Sequence, residues 1–409
     1  MTLPGTNGTA RHGHAHDRLP AASRHTRRVM TAVLAPAALL TIVAMIALWP
    51  ARPHRGAGSG DDGRRANGTV ISVTEQSCPA GTAAGQACGS ATVHVEHGPG
   101  AGSDVAVDLP SGPGAPRLRV GDEVVLLYLP GAVPGGHAYT VVDHQRGRPL
   151  IWLIALTAVV ILAFGRWRGL TSLAGLALSF TILLLFIVPA ILDGSPPLLV
   201  AVVGSAAIMF AALYLTHGLN VHTSVAVAGT LASLVLTGVL GVAFTAALHL
   251  SGVATDEDSF LASIPGSIDM RGLLLAGVVI GALGVLDDVT VTQAVTVAEM
   301  AAAGPTTRWL LYRAAGRVGR AHVASAVNTI VLAYAGASLP LLLLFATGSQ
   351  PLSQVLTGEL LAQEILRSAV GTIGLVASVP ITTALAALVA DVRTGSGSPA
   401  RPRHAAAAH

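Results

Sequence analysis

Two adjacent carboxylates, Asp287 and Asp288, stand in the string GALGVLDDVTVTQ (281–293), at the end of a hydrophobic run long enough to cross a membrane. A bilayer holds such groups only at a cost, and they mark functional positions there by default. Neighbouring like charges resist simultaneous ionisation, so a proton or cation shared between them lowers the energy. On an α-helix, Gly277, Gly281, Gly284, Asp288, Thr292, Thr296 and Glu299 recur at spacings of three and four, which makes one face that is small first and polar afterwards. Small residues let a neighbouring helix approach closely, and polar ones need a partner or water. That face is expected to look into the helix bundle as a cation or proton site. The blander alternative makes Asp288 the cap of a second helix running through Val289 to Ala303, its oxygen accepting an orphan backbone N–H. A cap needs only one aspartate.

Partners for the pair lie on later hydrophobic runs. His322, Ser325, Asn328 and Thr329 begin one, at a depth similar to the pair, and Gly371, Gly374, Ser378 and Thr382 form a stripe on the last. The candidate ion-binding set is therefore Asp287, Asp288, Thr292, Gln293, Glu299, His322 and Asn328, with Asp288, His322 and Asn328 expected to form a buried cluster. Ordinary hydrogen bonding between helices is the expected role of Ser378 and Thr382. Pro340 and Pro380 mark kinks or helix breaks.

The elements that must position these residues follow from composition. Hydrophobic residues make up 52% of the 409-residue chain and charged residues 11%, far fewer charges than a soluble protein carries. Runs of the length a helix needs to cross about 30 Å of hydrocarbon occupy 30–49, 150–165, 169–192, 197–216, 222–249, 272–290, 322–346 and 368–390. Eight spans result. The first reads as an uncleaved anchor, because Trp49-Pro50 stands where a signal peptide would carry small residues. With a cytoplasmic N-terminus, Arg166 and Arg168, then Arg308, Arg313, Arg317 and Arg320, and finally the tail arginines 393, 401 and 403 fall on the inner side, as the positive-inside rule requires. Both termini are expected to be cytoplasmic. Arg308, Arg313, Arg317 and Arg320, with Trp309 and Tyr312, form a basic amphipathic segment suited to anionic lipid.

Residues 66–145 differ in texture. Gly, Pro and Asp punctuate five β-branched runs: TVISV (69–73), ATVHV (91–95), DVAVDL (104–109), EVVLLYL (123–129) and YTVVD (139–143). Five short strands predict a small all-β domain, an OB-like sheet or small barrel, with Gly121-Asp122 turning into the fourth. Cys78 and Cys88, the two cysteines of the chain, both fall here, and outside the membrane they are expected to pair. Such a bond would contribute on the order of 2 to 3 kcal/mol. A metal site built on the cysteines with His94 and His97 is the weaker alternative.

The fold class expected is thus an α-helical polytopic membrane protein with an extracytoplasmic β domain inserted after the first helix. Its parts are a disordered cytoplasmic tail (1–29), an anchor (30–49), the β domain (66–145), a seven-helix membrane domain (150–390) and a second disordered tail (391–409).

The strings GALGVLDDVTVTQA (281–294), GRAHVASAVNTIVLAYAGASLPLLL (319–343) and EILRSAVGTIGLVASVPITT (364–383) resemble signature segments of the YibE/YibF family of bacterial membrane proteins. The resemblance extends over the chain after residue 66, including the GDEVVL turn at 121–126. It implies an architecture and a set of suspect residues rather than a reaction.

All 24 basic residues are arginine. The absence of lysine excludes a P-loop GK[ST] and Schiff-base chemistry. No HExxH, GxSxG or CxxC motif occurs, so nothing supports an enzyme, and no cofactor or nucleic-acid partner is implied. The run RHGHAHD (11–17) offers His12, His14 and His16 to a metal but sits in the tail, and Asp256, Glu257 and Asp258 read as a solvated loop. Two functions remain. One is a transporter or permease using the carboxylate pair for a cation or proton; the other is a scaffold or signalling factor whose β domain binds an envelope protein.

Overall fold

The computed structural model describes residues 24–50, 65–76, 88–110, 115–129, 137–263, 268–304, 306–347, 352–390 and 392. It divides into two units, residues 53–170 and the remainder.

The first unit carries the β domain. Strands β1 (Arg65–Gln76), β2 (Cys88–His97), β3 (Asp104–Asp108), β4 (Glu123–Tyr128) and β5 (Tyr139–His144) fall on the five expected runs, leaving out only the last residues Leu109 and Leu129. They close into a barrel in the order β1-β2-β3-β5-β4, antiparallel throughout except where β3 meets β5. Alternation of side chains along each strand puts Val70, Val93, Val95, Val107, Val124 and Leu126 inside with essentially no exposure. Closing the sheet removes its edges, which a five-stranded open sheet would leave unpaired. The expected turn at Gly121-Asp122 is present: Gly121 takes φ 93°, and Asp122 Oδ2 accepts from the Arg119 N–H at 2.7 Å.

Tyr139 closes the barrel where β3 and β5 meet. Its hydroxyl donates to the Pro99 carbonyl at 3.0 Å, and burial with Tyr128 nearby pushes the phenol pKa up. Tyr139→Phe removes that bond at a cost of about 1 kcal/mol. Hydrogen exchange of the barrel amides in the full chain should then rise about fivefold; unchanged exchange would show the bond idle. Cys78 and residues 11–17 lie outside the described residues, so the expected disulfide and the histidine run are not placed.

The helical part begins with α1 (Arg24–Ala47). After the barrel come α2 (Gly147–Ile182), a π-helical turn at Leu183–Ile187 and α3 (Val188–Leu192), which run on as one element of 46 residues. The expected division into runs at 150–165 and 169–192 survives as a break at Arg166, whose φ of 50° and ψ of −125° leave the helical region. The chain bends sharply there, because a Cβ on Gly169 would strike the Ile161 carbonyl, a group about 12 Å away in a straight helix.

Next follow α4 (Pro197–His217), α5 (Val221–Ala247), α6 (Asp256–Ser263), α7 (Met270–Ala302), α8 (Arg308–Ala337), α9 (Leu339–Thr347), α10 (Leu352–Thr357) and α11 (Glu359–Val389). Among the described residues six helices are long and apolar enough to span a membrane, seven if the bent pair α8 and α9 counts as one span. The expected eight exceeded this by dividing Gly147–Leu192.

Side-chain meetings fix how the central helices run. Gly229 of α5 meets Thr382 of α11, and Thr237 of α5 meets Gly374 of α11, so the two are antiparallel. Gln293 bonds Thr383 and Gly277 approaches Arg367; both pairings hold one offset, so α7 and α11 are parallel. Gln293 beside Gly319 and Gly281 beside Tyr334 make α8 antiparallel to α7. A carboxylate secures the start of α11: Glu359 Oε1 accepts from Ser251 N and Oγ at 2.6 Å and from Gly252 N at 2.9 Å, tying it to the turn after α5. Glu359→Ala would leave those donors without their acceptor and cost about 1 to 3 kcal/mol. A melting temperature equal to the native protein's would contradict this.

Candidate functional site

The helix break that the alternative reading puts at Asp288 does not occur. Helix α7 runs unbroken through Met270–Ala302, so Asp288 is not a cap, and its backbone N–H instead meets Asp287 Oδ1 at 2.8 Å. Helix α4 gives the depth. Pro197, at its start, packs 3.1 Å from the position of a Cβ on Gly272, and Asp287 and Asp288 lie about 22 to 24 Å further along α7. Since α4 is 21 residues long, or about 30 Å, the pair sits one to two turns from its far end.

The stripe does not look into the bundle as expected. Gly277, Gly281, Gly284, Asp288 and Glu299 are exposed, and Thr292 and Thr296 are half-buried. The opposite face of α7 is the one packed inside, with Val279, Leu283, Leu286 and Val289 in the core that also holds Met209, Val227 and Leu375. The physical reason is competition for the interior. The aliphatic face gains more by burial than a face of glycine and carboxylate. Asp287 is half-buried at the boundary between the two faces.

Nor does the expected cluster of Asp288, His322 and Asn328 form. The α7/α8 register sets Asp288 between the levels of His322 and Asn328, but Asp288 and Asn328 are exposed, and the described hydrogen bonds and ion pairs join neither aspartate to His322, Asn328 or any arginine. His322 is half-buried, with its Nε2 shut from solvent and unpartnered. Thr292 donates to the Asp288 carbonyl at 2.8 Å and Thr296 to the Thr292 carbonyl at 2.7 Å, the usual back-bonding of helical threonines. Their oxygens keep lone pairs that could still accept. Arg308, Arg313, Arg317 and Arg320 are all exposed on α8, whose first turn Thr307 caps through the Leu310 N–H at 3.3 Å. Trp309 and Tyr312 stack beside them at 5.7 Å.

Gln293 belongs to a different constellation. Thr230, Ser233 and Thr237 from α5, Thr290 and Gln293 from α7, and Ser378, Thr382 and Thr383 from α11 are all 0% exposed. Thr230 bonds Thr290 at 2.7 Å, and Thr383 donates to Gln293 Oε1 at 3.0 Å. The expected hydrogen bonding of Ser378 and Thr382 between helices does not occur: Ser378 donates to the Leu375 carbonyl of its own helix at 2.8 Å, and Thr382 Oγ1 packs on Gly229 without a hydrogen bond. The three hydroxyls on α5 escaped sequence reading. Their spacing of three and four was the available signal, and it is weak because threonine and serine are common in apolar helices.

The exposed face of α7 is bounded by α8 and α11. Tyr334 Oη comes within 3.2 Å of a Cβ position on Gly281, and Arg367 Nη2 within 4.0 Å of one on Gly277. Gly284 of α7 and Gly371 of α11 meet nothing within 4 Å. The result is a crevice floored by glycine, with Asp288 towards one end and Arg367 at the other.

A model described as YibE/F-like protein matches residues 153–392, more than half of the chain. The chain belongs to the YibE/F-like family. The match takes in the Asp pair, the hydroxyl column and the Arg367 end of the crevice, all on YibE/F-like helices, while the barrel lies before its first residue. The resemblance read from residue 66 onward is thus matched from 153. Neither the comparison with curated proteins nor that with solved structures gives a match. Family and helices together point to a multi-pass membrane protein.

Proposed function

We propose that this membrane protein carries a cation or proton past Asp287 and Asp288. The observation that supports the reading is the isolation of the pair: two neighbouring carboxylates on a helix long and apolar enough to span a membrane, one of them on an uncovered helix face, with no arginine or histidine paired to either among the described residues. Carboxylates so placed need a proton, a cation or water. The Thr292 oxygen one turn along can add a ligand. The arginine distribution supports cytoplasmic termini, the family resemblance suits a bacterial inner membrane, and a disulfide between Cys78 and Cys88 would suit an extracytoplasmic barrel.

A carbodiimide that enters lipid tests the pair directly, because it modifies protonatable carboxylates in apolar surroundings. Labelling is expected at Asp287 or Asp288, at least tenfold slower with the transported cation present. An unlabelled peptide covering residues 281–293 would defeat the reading.

One observation favours a second reading, a scaffold whose barrel binds an envelope protein: the barrel has its own core and precedes the family-matched segment. Crosslinking from the barrel surface in intact cells should then give one discrete adduct.

A further inference from the structure

The crevice holds a second set of polar groups that the cation reading does not use. Arg367 sits on α11 eight residues beyond Glu359, well inside a helix able to span a membrane. Its Nη1 donates to Glu364 Oε1 at 2.9 Å, and both side chains are partly buried, 31% and 26% exposed. One partner does not satisfy a guanidinium, which has five N–H donors. The Nε–H is shut from solvent and has no acceptor, and Nη2 points over Gly277. Nε–H and Nη2–H form the side edge of the guanidinium, the fork that takes a carboxylate in two parallel hydrogen bonds.

The surroundings suit a small ligand on that edge. Tyr334 Oη lies over Gly281 and within electrostatic reach of Arg367 and Glu364. The absence of side chains at Gly277, Gly281 and Gly371 keeps space in front of these groups, and Gly281 and Gly371 are level because α7 and α11 run parallel in fixed offset. An arginine within a helix able to span a membrane, its Nε–H buried without an acceptor, is a functional feature by default.

We propose that Arg367 and Tyr334 form a binding site for a small carboxylate anion in the crevice between α7, α8 and α11. Arg367 takes the carboxylate through Nη2–H and, as its side chain turns to uncover it, the Nε–H that is shut from solvent in the empty site; Tyr334 donates a third hydrogen bond, and the glycines of α7 admit the ligand. Glu364 holds the guanidinium in place through Nη1 and competes for it when the site is empty. The site is separate from Asp287 and Asp288, about 15 to 17 Å along α7 by helix rise from Gly277.

The test is saturation-transfer NMR with sodium acetate on the full chain in nanodiscs. Native protein is expected to transfer saturation to the acetate methyl, and Arg367→Gln should cut the signal at least fivefold while the protein elutes as a single folded species. Glu364→Gln should raise acetate affinity, because a competing carboxylate is gone. Asp287→Asn/Asp288→Asn should leave acetate binding unchanged, which separates this site from the cation reading. Acetate binding undiminished in Arg367→Gln would overturn the proposal, as would no binding to either native or Glu364→Gln protein. Displacement of acetate by equimolar chloride would also overturn it, since a spherical halide does not need the two-pronged edge.

Discussion

Gly229→Val is expected to cost the helical bundle about 3 kcal/mol, the upper part of the usual range for overpacking a filled interior. A Cβ at Gly229 would overlap Thr382 Oγ1 and press on the rest of the same threonine, which is itself 0% exposed and has nowhere to turn. The reciprocal contact of Thr237 on Gly374 lies two turns away along the same antiparallel pair, so separating the helices at one contact strains the other. Gly238→Val on the same helix provides the control, because nothing lies within 4 Å of its Cβ position. Thermal unfolding followed by size-exclusion fluorescence should show Gly229→Val losing many degrees and Gly238→Val few. Equal losses would mean that the glycine at 229 matters for helix propensity rather than for the approach of α11.

Asp288→Asn is expected to reduce cation-dependent flux at least tenfold, equivalent to about 1.4 kcal/mol or more of lost stabilisation for the moving ion. Asp287→Asn should reduce it less. The difference follows from placement: Asp288 is exposed on the glycine face, whereas Asp287 is half-buried at its boundary and accepts the Asp288 backbone N–H. Both variants should fold, since asparagine keeps the size of the side chain and neither carboxylate makes an ion pair that would be broken. Initial rates of flux at matched protein density check this. A larger loss at Asp287 than at Asp288 would place the ion on the inner side of α7 instead of in the crevice.

The parts of this molecule that the sequence made legible are those governed by short-range periodicity. The barrel strands were readable because Val105, Val107 and Leu109 alternate with polar residues and because Gly121-Asp122 can make only a tight turn. The spans were readable because length and apolarity alone define them. Arg166 and Arg168 located the break in the long helix before Arg166 was seen to leave helical geometry. Helical spacing also found the stripe from Gly277 to Glu299 correctly as a single face. It could not say what that face would meet, since burial is settled by which face of α7 packs better against α4, α5 and α11. The same limit hid Thr230, Ser233 and Thr237, whose neighbours lie on helices distant in sequence, and it hid Arg367, whose neighbours Gly277 and Tyr334 lie on other helices.

The central claim is that an unpaired carboxylate pair on α7 carries a cation or proton, and the most direct measurement is flux into sealed proteoliposomes loaded with a pH-sensitive dye. Native protein and Asp287→Asn/Asp288→Asn are reconstituted at equal density and challenged with a panel of monovalent and divalent cations and with a pH step. The account predicts a cation- or proton-dependent signal for the native protein that falls at least tenfold in the double variant. A signal of equal size in both would contradict it.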